Sequence, residues 1–249
     1  MNLGDTVLDA LKFPFFNVSR SFGLFLLFVG IILIIPIIMA YGYILRIIKY
    51  TINGSNDLPP FDEWNEMFTD GLKYLVVTII YLIIPNILTF LLFRGILTSI
   101  YSGNFQISAY LLATIMGLVI ALPFDLVYIM SLGNVAHKGR LGAAFEFSKI
   151  FRLIRGIGWS VYFVYILTFV IIELLLSQIS SFGLYLRISF GLEGLFIGII
   201  LSILITVYLS LYRGRFIGLI YFKGSRFTEN DPEIEDNLEL EENRDVGTV

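Results

Sequence analysis

The chain has 249 residues, of which 57% are hydrophobic and only 15% are charged, whereas about 25% of residues are charged in an average soluble domain. It has no cysteine, so disulfides, thiolate metal sites and cysteine nucleophiles are excluded, and the single histidine, His137, cannot form a zinc site by itself. We therefore expect an integral membrane protein that contains no metal and no other cofactor.

The net charge of −3 is unevenly distributed along the chain. Residues 227–249 contain nine acidic residues and one arginine, so the remainder of the chain carries a net positive charge. Such a concentration of one charge near a chain end is typical of a disordered extension. We therefore divide the chain into a membrane domain, residues 1–226, and a disordered acidic cytoplasmic tail, residues 227–249.

Five apolar stretches are each long enough to cross a bilayer. A spanning helix needs about 20 mostly apolar residues, because each residue rises about 1.5 Å through a hydrocarbon core about 30 Å thick. The sequence therefore predicts an all-α fold, that of a polytopic integral membrane protein with about five transmembrane helices. The predicted spans cover residues 22–45, 72–93, 108–132, 157–179 and 190–212.

Three further segments combine apolar residues at helical spacing with charged residues on the opposite face, which is the pattern of helices that lie in the membrane interface. They cover residues 3–16, 58–70 and 138–155. The second is acidic and the third is basic, so they either dock on each other or face solvent and lipid headgroups separately. Five basic residues of the third segment are candidate lipid-headgroup contacts: Lys138, Arg140, Lys149, Arg152 and Arg155.

Lysine and arginine residues predict the orientation, because they are retained on the cytoplasmic side. The segments on one side of the predicted spans contain four of them, and those on the other side contain thirteen. This bias predicts a multi-pass protein of the cell membrane with its N-terminus outside and its C-terminus in the cytoplasm. The four are Lys12, Arg20, Arg94 and Arg187.

Asp125 is the first candidate for an intramembrane polar site, and it follows Pro123 by two residues in the third predicted span. Because proline interrupts helical hydrogen bonding, we expect a helix break here, and the carboxylate then has two interpretations. It either caps the new half-helix through free N–H groups, or it forms a cation or proton site at a broken helix, as transporters do.

Glu173 and Asn86 complete the candidate site. They lie at similar depths in two spans that start from the same side, so their side chains are expected to be within hydrogen-bonding reach. Arg94, Arg187 and Glu193 lie near the same surface and are alternative neighbours of Glu173. A packing contact between helices is the simpler interpretation of the Glu173–Asn86 pair.

Several short motifs in the first half of the chain resemble one known family. They are Gly42-Tyr43 with Arg46, residues 53–59, residues 61–64 and residues 70–74. They are similar to the hallmark block of an archaeal multi-span membrane protein family of unknown function, domain-of-unknown-function 4013. The resemblance implies a multi-span protein of the archaeal cell membrane. It implies no activity, substrate or catalytic residue.

Known catalytic motifs are missing from the sequence. The spans contain one aspartate rather than the two of an intramembrane aspartyl protease, and the chain has neither a His-Glu-x-x-His motif nor a Gly-rich phosphate loop. We therefore expect no enzyme, no catalytic residue and no nucleic-acid partner.

The sequence favours a non-catalytic scaffold that organises membrane lipids or partner proteins. A protein partner is expected at the acidic tail or at segment 58–70. The alternative is a small-solute or lipid transporter or channel that acts as a homo-oligomer and uses Asp125 in a broken helix.

Overall fold

The computed structural model describes residues 2–29, 34–101 and 107–229, and helices account for most of them. No β-strand occurs in these three ranges, so the predicted all-α class is confirmed. Short 3-10 turns occur at Phe13–Phe15 and Leu141–Phe145. The helices, in chain order, are α1 Leu3–Lys12, α2 Val18–Val29, α3 Ile34–Ile52, α4 Trp64–Tyr101, α5 Ile107–Lys138, α6 Phe147–Ile157 and α7 Trp159–Glu229.

Five helical segments are long and apolar enough to cross a membrane, which confirms the predicted number. Helix α7 contributes two of them, because Gly191 interrupts it with φ 60° and ψ −132°, a left-handed conformation that glycine adopts without strain. We call the parts before and after Gly191 the first and second arms of α7. The five segments are Ile35–Ile52, Trp64–Gly95, Leu111–Lys138, Trp159–Ile179 and Phe190–Phe227.

The two arms of α7 run antiparallel. Phe169 of the first arm stacks on Phe216 of the second, with ring centroids 4.5 Å apart. Closer to the start of the first arm, the hydroxyl of Tyr165 accepts a hydrogen bond from Lys223. Residues earlier in the first arm therefore pair with residues later in the second, as in a helical hairpin.

The buried side chains are concentrated at one end of the bundle, which we call the core end. It is formed by the end of α3, the start of α4, the end of α5, helix α6 and the two outer ends of α7. Beyond it, α4, α5 and α7 expose many large apolar side chains, as a lipid-facing surface requires. The helices differ greatly in burial: 61% of the most apolar part of α3 is buried inside the protein, whereas only 6% of the most apolar part of α5 is buried.

Helices α3 and α4 approach to backbone contact at the core end. A Cβ atom added to Gly42 would lie 1.7 Å from the carbonyl oxygen of Met67, and one added to Gly71 would lie 1.8 Å from that of Ile38. Glycines at both crossing points let two helices pack this closely. The contact fixes α3 against the first turns of α4.

The first predicted span, residues 22–45, overlaps two described helices. It covers most of α2 and the first part of α3, and residues 30–33 between them lie outside the described residues. The most apolar part of this region runs from Ile35 to Ile52, which is later in the chain than the predicted bounds. The bounds of the first span therefore stay a prediction.

The predicted acidic interfacial helix, 58–70, is not formed as a separate helix. Residues 58–63 are not helical, and residues 64–70 are the first turns of α4. Pro59 and Pro60 lack the N–H groups that helical hydrogen bonding uses. Three of its acidic side chains also form ion pairs, because Asp62 and Glu63 pair with Arg46, and Asp70 pairs with Lys73.

The predicted basic interfacial helix, 138–155, is divided between the end of α5, the 3-10 turn and α6. The predicted acidic tail, 227–249, lies outside the described residues from residue 230 onward. Its first three residues are the last residues of α7.

Helix α1 lies at the core end, beside the connection between α3 and α4. Arg215 of α7 contacts both: its Nε donates to the Asp9 carboxylate at 2.9 Å, and its Nη atoms donate to the Ser55 carbonyl oxygen at 2.6 Å and to Asn56 Oδ1 at 2.7 Å. One side chain cannot reach across a bilayer, so α1 and this connection lie on the same side. These contacts contradict the prediction that the N-terminus and the α3–α4 connection lie on opposite sides, and the side that each of them faces stays a prediction.

Candidate functional site

Two of the three predicted intramembrane polar residues line one cavity of about 400 Å³ between α4, α5 and the two arms of α7. Asp125 reaches it from α5, and Glu173 reaches it from the first arm of α7. The structure therefore brings together two carboxylates that are far apart in sequence. The other polar side chains in the lining are Thr78, Tyr128, Ser177 and Arg213.

Glu173 forms a bidentate ion pair with Arg213. The guanidinium donates from Nε and Nη2 to the two carboxylate oxygens, each at 2.9 Å. Both residues lie at similar distances in sequence from Gly191, so the antiparallel arms bring them opposite each other. The sequence analysis missed Arg213 because it assigned this residue to the segment after the fifth span, whereas α7 continues as a helix. The near-symmetric positions about Gly191 are the signal that could have identified the pair.

Asp125 has no hydrogen bond or ion pair to another group in the part of the chain that the structure describes. Its side chain lines the same cavity as that of Glu173. Helix α5 continues through Pro123 without interruption, so the predicted helix break is wrong, and with it the interpretation of Asp125 as the cap of a half-helix. A cation or proton site at Asp125 stays a prediction. A proline removes one helical hydrogen bond, and membrane helices tolerate that loss.

Asn86 is not part of this cavity. Its Nδ2 donates to the Leu82 carbonyl oxygen at 2.7 Å within α4, and its other neighbours are apolar side chains on the helix surface, among them Ile83 and Phe90. Both carboxylate oxygens of Glu173 accept from Arg213 instead. The predicted contact between Asn86 and Glu173 is therefore not formed.

The outer face of α6 is the second candidate site. Phe147, Phe151 and Arg155 follow one another at intervals of four residues and are exposed, and Arg152 is exposed beside them. The helix ends at Gly158, whose φ of 92° suits a glycine after a helix. The opposite face of α6 is fixed in the core by four buried side chains, Ile150, Leu153, Ile154 and Ile157.

Two of the five predicted headgroup contacts are occupied within the protein. Lys138 and Arg140 both bind the Glu146 carboxylate, and Asn134 donates to it at 3.1 Å. The hydrogen bonds from Lys138 and Asn134 are the main reasons that the pKa of Glu146 lies below its usual range. These cations therefore stabilise the connection between α5 and α6.

The other three predicted contacts, Lys149, Arg152 and Arg155, take part in no ion pair within the described ranges. Burial lowers the pKa of Lys149, and nearby Lys138 lowers it further. Arg152 and Arg155 therefore provide the accessible positive charge of α6.

The hallmark motifs of the sequence hold the core end together. The Nη atoms of Arg46 donate to the carbonyl oxygens of Asp62 at 2.7 Å and Glu63 at 2.9 Å. Glu63 adopts a φ of 49° just before α4, which is unfavourable for a residue with a side chain. Tyr43 donates to the Pro59 carbonyl oxygen at 2.9 Å. These residues therefore have a structural role, which sequence reasoning did not assign.

Comparisons with known proteins agree with the resemblance in these motifs. A family model described as "Protein of unknown function (DUF4013)" matches residues 25–185. No curated protein and no solved structure matches the chain. The matched range includes Arg46, both carboxylates of the cavity and all of α6, whereas Arg213 and Arg215 lie beyond it. Since the match covers more than half of the sequence, the chain belongs to the DUF4013 family of proteins of unknown function.

Proposed function

We propose that the protein is a non-catalytic membrane protein that organises anionic lipids at the cytoplasmic face of an archaeal cell membrane. Its contact surface is the outer face of α6. The observation that carries this proposal is the exposed set of Phe147, Phe151, Arg152 and Arg155 on a helix whose inner face is buried in the core.

Aromatic and basic side chains on one helix face suit the boundary between headgroups and acyl chains. Aromatic rings are favoured at that depth, and guanidinium groups donate two hydrogen bonds to one phosphate. Trp159 extends the aromatic edge, since its ring lies 6.1 Å from that of Phe151. Because the inner face is immobilised, α6 presents these groups in a fixed arrangement.

The distribution of positive charge supports a cytoplasmic location for this surface. Of the 17 Lys and Arg residues, Arg244 lies outside the described ranges. Among the others, only Arg94 and Arg187 belong to segments at the far end once α1 is assigned to the core end. The sequence prediction, which assumed five simple spans, placed four Lys and Arg residues on the poorer side. The charge bias between the two ends is therefore stronger in the structure. By the positive-inside rule, the core end, α1 and the end of α7 face the cytoplasm.

The test is the affinity of the purified full-length protein for phosphatidylglycerol in mixed micelles with phosphatidylcholine, measured by native mass spectrometry. The variant is Arg152→Gln with Arg155→Gln. Each basic residue near an anionic surface contributes about 1 kcal/mol, so we expect binding about 30-fold weaker.

Arg94→Gln is the matched control, since it removes an exposed arginine at the far end of α4. It should leave the affinity unchanged. Equal affinities in the double variant and the unmodified protein would refute the role of α6.

A carrier or channel is the second candidate function, and the cavity shared by Asp125 and Glu173 is the observation that favours it. This function requires that the reconstituted protein transports a solute across the membrane and that the transport is lost in Asp125→Asn. Normal flux in that variant would exclude the carrier mechanism.

A further inference from the structure

We infer that the cavity between α4, α5 and α7 binds a small organic ammonium ion, a ligand with one protonated amine and an apolar body. This site is separate from the α6 surface and does not depend on the proposed lipid contact. The inference rests on the charge, the hydrogen-bond acceptors and the size of the cavity.

The charges in the cavity leave one carboxylate uncompensated. Glu173 and Arg213 neutralise each other through their bidentate ion pair. Asp125 lines the same cavity and has no such partner among the described residues. An unpaired carboxylate among apolar helices is costly. A single positive charge next to Asp125 removes that cost.

Two hydroxyl oxygens in the lining are available as further acceptors. Ser177 donates its proton to the Leu174 carbonyl oxygen at 2.9 Å. Thr78 donates to the Tyr74 carbonyl oxygen at 2.8 Å, so in the 2.8 Å contact between Thr78 and Tyr128 it is the tyrosine that donates. The oxygens of Ser177 and Tyr128 therefore retain lone pairs. Together with Asp125 they match the three N–H donors of a primary ammonium group.

The size and the remaining lining indicate an organic cation. A volume of about 400 Å³ lies in the range of small-molecule pockets and exceeds what a bare ion fills. In the described ranges, no group of three His, Cys, Asp or Glu residues is close enough to hold a metal ion. Apolar side chains, among them Leu82, Phe169 and Leu209, form the rest of the wall and suit an apolar ligand body.

The experiment measures binding to the full-length protein in nanodiscs at pH 7 by isothermal titration calorimetry. The probe is phenethylammonium, and 2-phenylethanol is the neutral ligand of similar shape. We expect phenethylammonium to bind at least about tenfold more tightly than the alcohol, as the loss of a charge-assisted hydrogen bond predicts. Equal affinities for the two ligands in the unmodified protein would overturn the inference without any variant.

Asp125→Asn is the variant that tests the residue, because it keeps the shape of the side chain and removes its charge. We expect it to abolish the preference for the ammonium ligand. Glu193→Gln, an exposed acidic residue outside the cavity, is the matched control and should retain the preference. The α6 double variant should retain it too, which separates this site from the proposed lipid surface. A preference that persists in Asp125→Asn would contradict the assignment.

Discussion

The contact between α3 and α4 provides the sharpest prediction about the fold. In Gly42→Ala, the new methyl group would lie 1.7 Å from the Met67 carbonyl oxygen and 2.7 Å from its carbon. Ordinary contacts of a Cβ atom begin at 3.4 Å, so the helices must separate by about 1.7 Å. The obstructing atoms belong to the backbone of α4 and cannot rotate away, as the end of a side chain could. Overpacking of a core usually costs 1–3 kcal/mol, and we expect about 3 kcal/mol here.

The assay is thermal unfolding of the purified protein in one detergent, followed by tryptophan fluorescence. A loss of about 3 kcal/mol corresponds to a decrease in Tm of roughly 6–12 °C for a chain of this size. Gly95→Ala is the matched control, because a Cβ atom there meets open space. It should stabilise α4 by about 0.5–1 kcal/mol. Equal Tm values for the two variants would refute the close approach of α3 and α4.

Three further predictions concern charged side chains. Arg46→Met removes the hydrogen bonds and ion pairs to the residues before α4, and it should lower the free energy of unfolding by about 3 kcal/mol. Lys49→Met, on the exposed side of α3, should lower it by less than about 0.5 kcal/mol, and chemical denaturation compares the two variants. Glu173→Gln breaks the ion pair with Arg213 and should destabilise the protein by about 2 kcal/mol. Asn86→Ala removes one hydrogen bond within α4 and should destabilise it by much less, which the shift in Tm of each variant measures. The folded state lowers the pKa of Glu146 below its ordinary value of 4.5. The stabilisation by ionised Glu146 is therefore complete above pH 4.5 and is lost as the pH falls through the lowered pKa. The difference in Tm between the unmodified protein and Glu146→Gln should therefore disappear in acid, and a constant difference would contradict this assignment.

The sequence predicted the long membrane helices well because lipid-facing helices are recognisable by their apolar residues alone. Helices α4 and α5 and both arms of α7 contain four of the predicted spans. The bounds of the first span were harder to predict from residues 22–45, because a helix enclosed by protein is as apolar as a helix enclosed by lipid. Only the tertiary contacts of α3, whose most apolar part is largely buried, distinguish the two.

The positions of single charges were harder to predict. Arginines near the ends of spans were read as orientation signals, yet Arg46 and Arg215 bind backbone carbonyl oxygens inside the core end. Such contacts join residues far apart in sequence, and no local pattern identifies them. They also explain why the sequence placed α1 and the α3–α4 connection on opposite sides.

The candidate site was predicted in part. Asp125 and Glu173 were selected because ionisable residues in apolar helices are costly, and they do share a cavity. Their partner Arg213 was missed, since its depth depends on where the two arms of α7 turn at Gly191. The depth of a residue cannot be counted from a span boundary when the helix continues beyond it.

The orientation of the core end tests the account most directly, because the proposed lipid surface of α6 requires it to face the cytoplasm. The chain contains no cysteine, so single cysteines can be introduced at Asp5 of α1, Asp57 of the α3–α4 connection and Arg94 of α4, all of which are exposed. Labelling of intact and permeabilised cells with a membrane-impermeant maleimide then reports the side of each residue. We predict that Asp5→Cys and Asp57→Cys react only after permeabilisation, whereas Arg94→Cys reacts in intact cells. Labelling of Asp5→Cys in intact cells, with Asp57→Cys protected, would contradict the account.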